Sequence, residues 1–141
     1  MRQNQWDKKL TAYLKQLARE EFVWGKNDCA LFVANCLEIL TGVDYAKDYR
    51  NLYTTEEGAI KALQDIGQGS LKKTFAHLAN SKGWKPVKPS FAQRGDMVLF
   101  VLEGNHTMGI VHLDGLNIVA LGEQGLITRP LEEAQIIWGV R

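Results

Sequence analysis

The sequence predicts an α+β fold, with helices in the first half packed on an antiparallel sheet built from the second, in a single domain spanning residues 1–141. Three observations carry this. Apolar residues recur at helical spacing through the first half, while beyond Gly83 they fall into short β-prone runs separated by glycine-containing turns. The order of helices followed by strands fits one α+β unit and not an alternating α/β one. The chain has 141 residues and 45% hydrophobic content, enough for one real core and too little for two.

Trp6, Leu10, Tyr13, Leu14 and Leu17 alternate with Lys8, Lys9, Lys15 and Gln16, which predicts an amphipathic surface helix over residues 5–20. From Asp28 to Thr41 nearly every position is apolar, so this helix is expected at the centre of the fold, capped by Asn27 or Asp28 and stopped by Gly42. Thr54 and Glu57 have capping-box spacing ahead of Ala59, Ile60, Leu63 and Ile66, with Gly67 closing that helix. Leu71, Phe75 and Leu78 predict a further short helix ending before Gly83.

Met97 to Leu102 is an unbroken apolar run after Gly95-Asp96, and six such residues cannot leave one face in water. It is therefore expected as a central, doubly covered strand, with Val98 and Phe100 on one face and Leu99 and Val101 on the other. The next pieces are Met108–Leu113, Leu116–Leu121, Leu126–Thr128 and Ile136–Val140. Their short connections favour an antiparallel meander.

Seventeen basic and sixteen acidic residues leave a formal charge of +1 without long runs of either sign, which gives no electrostatic footprint for nucleic acid. No apolar stretch approaches the roughly 20 residues of a membrane span, and Met1 to Gln5 lead into a charged helix instead of a signal segment. Synthesis in a cytosol is expected, with no membrane partner. Cys29 and Cys36 lie seven apart on one predicted helix, about 10.5 Å along its axis, too far for a disulfide. With His77, His106 and His112 scattered, the close paired spacing of a zinc site is missing, so no metal and no cofactor is expected.

The reactive candidate is Cys29, in the stretch Phe22-Val23-Trp24-Gly25-Lys26-Asn27-Asp28-Cys29-Ala30-Leu31-Phe32, where a glycine-containing loop enters the central helix. Unpaired amides and the dipole at a helix start favour an anion and can bring a thiol pKa into the range of roughly 3.5 to 7.5. On that ground Cys29 is expected to ionise and alkylate more readily than Cys36. Asp28 is read as a helix cap or loop-fixing acceptor, and Asp96 as a turn acceptor ahead of its strand.

The segments Trp24-Gly25-Lys26-Asn27-Asp28-Cys29-Ala30-Leu31-Phe32, Arg94-Gly95-Asp96-Met97-Val98-Leu99-Phe100 and Met108-Gly109-Ile110-Val111 resemble, in that order, landmarks of NlpC-type papain-like cysteine peptidases. The resemblance extends to a small phage- and prophage-encoded branch, with Trp-Gly-x-x-Asp-Cys followed by Arg50 and Tyr53 and ending on a strand with Trp138. It spans nearly the whole chain. It implies a papain-like fold and Cys29 as nucleophile with a histidine as its base, for which His106 is the candidate. It also implies that Tyr53 and Asp28 form the oxyanion or groove side, with Tyr53 donating to the oxyanion beside the N–H of Cys29. Arg50 would line the groove or hold its loop against the core. The implied partners are phage tail-tip or tail-assembly proteins and a peptidoglycan stem peptide, and the implied location extends to the virion tail.

Two positions depart from the family pattern. Counting back from Gly109 places the family's histidine on Thr107, and its orienting polar residue falls near Val119. His106 is one residue early, so it is expected on the wrong face of its strand unless it belongs to a loop or bulge. The expectation is therefore a tail-associated domain whose wall-peptide hydrolysis is weak or absent. An active Cys-His peptidase is the alternative, and a cytosolic amide hydrolase or acyltransferase a third reading.

Overall fold

The computed structural model describes residues 2–141. Four helices precede five strands: α1 (Trp6–Leu17), α2 (Cys29–Thr41), α3 (Glu56–Asp65), α4 (Leu71–Lys82), β1 (Met97–Leu102), β2 (Asn105–Val111), β3 (Asn117–Gly122), β4 (Gly125–Pro130) and β5 (Ala134–Trp138). The α+β class and the order of elements follow the reading above. The strands form one antiparallel sheet in the order β4-β3-β2-β1-β5. β1 to β4 make the expected meander, and β5 returns to pair with the free side of β1.

Helices α1, α2 and α4 cover one face. Leu10, Leu14 and Leu17 of α1, Phe32, Val33, Cys36, Leu37 and Leu40 of α2, and Phe75 and Ala79 of α4 join Met97, Leu99, Met108 and Ile110 in one cluster. The other face holds Val98, Phe100, Val111, Ile118, Ala120 and Ile137 under Leu131 and Ala92, with no α-helix among the described residues. This gives β1 the predicted division of faces. Its double cover ends early, because Val101 is 39% exposed. The last two residues of β1 run past the helical layer.

α2 is central because it is apolar nearly all round. Its N-cap is Asp28, whose carboxylate accepts from the Leu31 N–H at 2.9 Å, and Gly42 ends it in a left-handed conformation. The cap of α3 is one residue later than expected: the Thr55 side chain, not that of Thr54, accepts from the Gly58 N–H, and Ile66 takes the C-cap position. α1 is shorter than predicted, since Leu17 is its last buried contact and the chain turns at Ala18. β2 begins three residues before the predicted Met108 and stops at Val111, because Leu113 lies in the turn that leads to β3. The glycine in β2 is required by a close approach, as a Cβ on Gly109 would sit 2.7 Å from the Val119 carbonyl oxygen.

Candidate functional site

The loop before α2 is built around one buried carboxylate. Asp28, 1% exposed, accepts from the Gly25 N–H at 3.0 Å, from the Leu31 N–H at 2.9 Å and from the Tyr53 hydroxyl at 2.6 Å. All three donors are neutral. Gly25 has φ +84°, and a Cβ there would lie 2.0 Å from the Tyr53 carbonyl oxygen. Its own carbonyl accepts from the Asn51 N–H at 3.0 Å. The Trp-Gly-x-x-Asp-Cys text is thus a folding instruction: glycine lets the Tyr53 strand of chain close over the loop, and aspartate ties loop, helix and Tyr53 together.

That geometry corrects the role expected for Tyr53. Its single O–H is given to Asp28, so it holds the carboxylate in place and has no proton left for an oxyanion. Burial and the neighbouring Asp28 charge push its phenol up from the ordinary value, keeping the donor protonated. Arg50 is structural: it binds both Asp44 carboxylate oxygens at 2.9 and 3.0 Å and the Asn35 side-chain oxygen at 2.6 Å, fixing the following loop to α2.

Cys29 is the first residue of α2 and Cys36 is fully buried two turns deeper, as expected, and both are free thiols. The thiol is raised and not lowered as the helix start suggested, although it still ionises more readily than that of Cys36. Although Cys29 as a residue is partly exposed, its sulfur is drained of water, and this desolvation, joined by the Asp28 charge, pushes the thiol up to about 11. Backbone N–H groups of Met108, Ala30 and Cys29 itself pull it down, but less. The helix end supplies a real attraction that is outweighed by burial and by its own capping anion. Cys36 is pushed up by burial alone.

The face assigned to His106 is also corrected. It lies within β2, not in the preceding turn, and the β1–β2 register is unbroken from Met97 opposite Ile110 to Leu102 opposite Asn105. Side chains alternate along a strand, so His106 shares a face with Met108 and Ile110, both packed against α2. No bulge is needed. Thr107, opposite Phe100, falls on the other face, where it is buried and its hydroxyl donates to the Asn105 carbonyl. Val119 pairs with Ile110 and is core, 2% exposed, so the position expected for an orienting polar group is filled by packing.

A cavity of about 830 Å³ opens at this end of the sheet, and Asp28, Cys29, Tyr53 and His106 all line it. His77 of α4, read from the sequence as an ordinary helix residue, lines it as well. Nothing in its local sequence marks it, because α4 reaches the cavity only through packing. Asp96 lies elsewhere, 0% exposed, receiving the Gln93 N–H at 2.8 Å as the expected turn acceptor. It also binds Arg2 and Arg141, which the sequence reading did not foresee. His112 follows β2 and leaves a buried Nδ1 without a hydrogen-bond partner among the described residues.

A family model described as a domain of unknown function (DUF6950) matches residues 1–140. No curated protein matches the chain.

Proposed function

We propose that this chain, which belongs to the DUF6950 family, is an NlpC-type, papain-like cysteine hydrolase of phage or prophage tail origin. It acts through Cys29 and His106 on an amide bond of a peptidoglycan stem peptide. The observation supporting this is the shared cavity: Cys29 at the start of α2 and His106 on the α2-facing side of β2 open onto the same space.

In this mechanism the His106 imidazole takes the Cys29 proton as the sulfur attacks the amide carbonyl carbon. With the thiol near 11, only about 1 in 10⁴ molecules carries a thiolate at pH 7. The resting thiol is therefore protonated, and attack depends on proton removal by His106. The tetrahedral oxyanion forms beside the N-terminus of α2, where the N–H of Cys29 is the donor at hand. Collapse breaks the C–N bond, and His106 returns the proton to the departing amine. A water deprotonated by His106 then cleaves the thioester and restores the thiol.

One observation favours a second reading, a papain-like tail-tip or tail-assembly domain without turnover. The charge beside the thiol is the Asp28 anion, which opposes ionisation. Digestion of purified peptidoglycan separates the two. Release of stem-peptide fragments, reduced at least 10²-fold by both Cys29→Ala and His106→Ala in proteins with unchanged melting, is expected for the hydrolase. No release by the unaltered protein would leave the tail-component reading, and loss with Cys29→Ala alone would move the base to another group such as His77.

A further inference from the structure

The cavity reaches well beyond Cys29, and its far wall is a helix that contributes almost nothing to the core. α3 buries only Ala62. Its row Ala59, Ile60, Leu63 and Ile66 instead lines the cavity, with Ile60 49% and Ile66 48% exposed. Phe75 and Leu78 of α4 complete this aliphatic and aromatic wall. At 59, 63 and 66 the row has the spacing of a packed helix face, yet Ala59 and Leu63 are only half-buried and Ile66 is exposed.

Charge at the cavity is one-sided. Asp28, Glu56, Glu103 and Glu123 line it against Arg129 alone, a formal balance of −3 with the histidines neutral. Glu103 lies in the β1–β2 turn and Glu123 in the β3–β4 turn, two hairpin tips at the same end of the sheet. An anionic ligand would be repelled there, and a neutral or cationic one would not.

Resting on the reading of Cys29 as nucleophile for where the scissile amide lies, we propose a substrate class for this site. It takes amides bearing an apolar group along the α3–α4 wall and an uncharged or basic group toward Glu103 and Glu123. The occupant places an aliphatic or aromatic portion against the α3–α4 wall and no carboxylate toward Glu103 and Glu123. The thiol sits where the apolar wall and the acidic mouth share one cavity.

Titration of the Cys29→Ala protein with octylamine and with octanoate at pH 7 tests this without any turnover. Octylamine is expected to bind at least tenfold more tightly. Leu63→Asn, on a half-buried position outside the core clusters, should weaken octylamine at least fivefold, with a thermal melt confirming the fold. Glu103→Gln combined with Glu123→Gln should reduce the preference to less than threefold. Equal or tighter binding of octanoate, no binding of either probe, or indifference to Leu63→Asn overturns the proposal. Because the protein titrated cannot cleave amides, its result stands apart from the peptidoglycan assay: selective binding without wild-type hydrolysis removes the enzyme reading, and hydrolysis without selective binding removes this one.

Discussion

Two buried aspartates follow glycine turns in this chain, and they are treated in opposite ways. Asp96 is held at the start of β1 by two guanidinium groups, with Arg2 at 3.0 Å and Arg141 at 2.7 Å to both carboxylate oxygens, and by the Val140 N–H at 3.1 Å. Asp28, at the start of α2, has only neutral donors. A buried carboxylate among cations is a staple, here joining segments 94 and 45 residues apart. One among neutral donors leaves its field uncancelled, and that field acts on the adjacent Cys29 thiol. The same side chain thus fastens the fold at the start of a strand and sets the chemistry at the start of a helix.

The difference can be broken most severely at the staple. Asp96→Ala leaves Arg2, with 13% of its side chain exposed, facing Arg141 without a counter-ion. The expected cost is roughly 3–5 kcal/mol in urea unfolding, and a loss below 1 kcal/mol would show that the two arginines find water instead.

At the other carboxylate the loss should be smaller. Tyr53→Phe removes the O–H that meets Asp28 at 2.6 Å and should cost about 1.5–3 kcal/mol, the range for a hydrogen bond to a charged group. The same urea titration reads it, and an unchanged midpoint would mean that the Gly25 and Leu31 amides suffice.

A pH test follows from the thiol itself. Folding raises Cys29 from the ordinary 9.0 to about 11, so above pH 9 the unfolded chain loses a proton that the folded chain keeps. The contribution is fully present below pH 9 and is lost as pH rises through about 11, roughly 3 kcal/mol in total. Stability measured at pH 8 and pH 10.5 should fall less for Cys29→Ala than for the unaltered protein. Equal falls would show that the sulfur is not desolvated.

The finest test changes charge while keeping shape. Asp28→Asn removes the anion next to Cys29, so the pH at which Cys29 reaches half-maximal alkylation should move down from about 11. Mapping iodoacetamide labelling against pH reads this directly. An unchanged midpoint would assign the elevated thiol to burial alone.

The sequence by itself determined the elements near the site. Asp28 before an apolar run specifies a capped central helix that begins at Cys29, because capping and periodicity act within a few residues. The six apolar residues from Met97 specify an interior strand for a similarly local reason. Thr55 displacing Thr54 as cap shows the resolution of such signals, about one residue.

What only the tertiary structure decided depends on groups far apart in the chain. The role of Asp96 needed Arg2 and Arg141, and the partner of the Tyr53 hydroxyl needed residue 28. The direction of the Cys29 shift needed the packing that removes water, since a helix end favours the thiolate and burial opposes it, and only their balance fixes the sign. The face of His106 needed the strand's true start and its register against β1, because side-chain direction has period two and one residue of error inverts it.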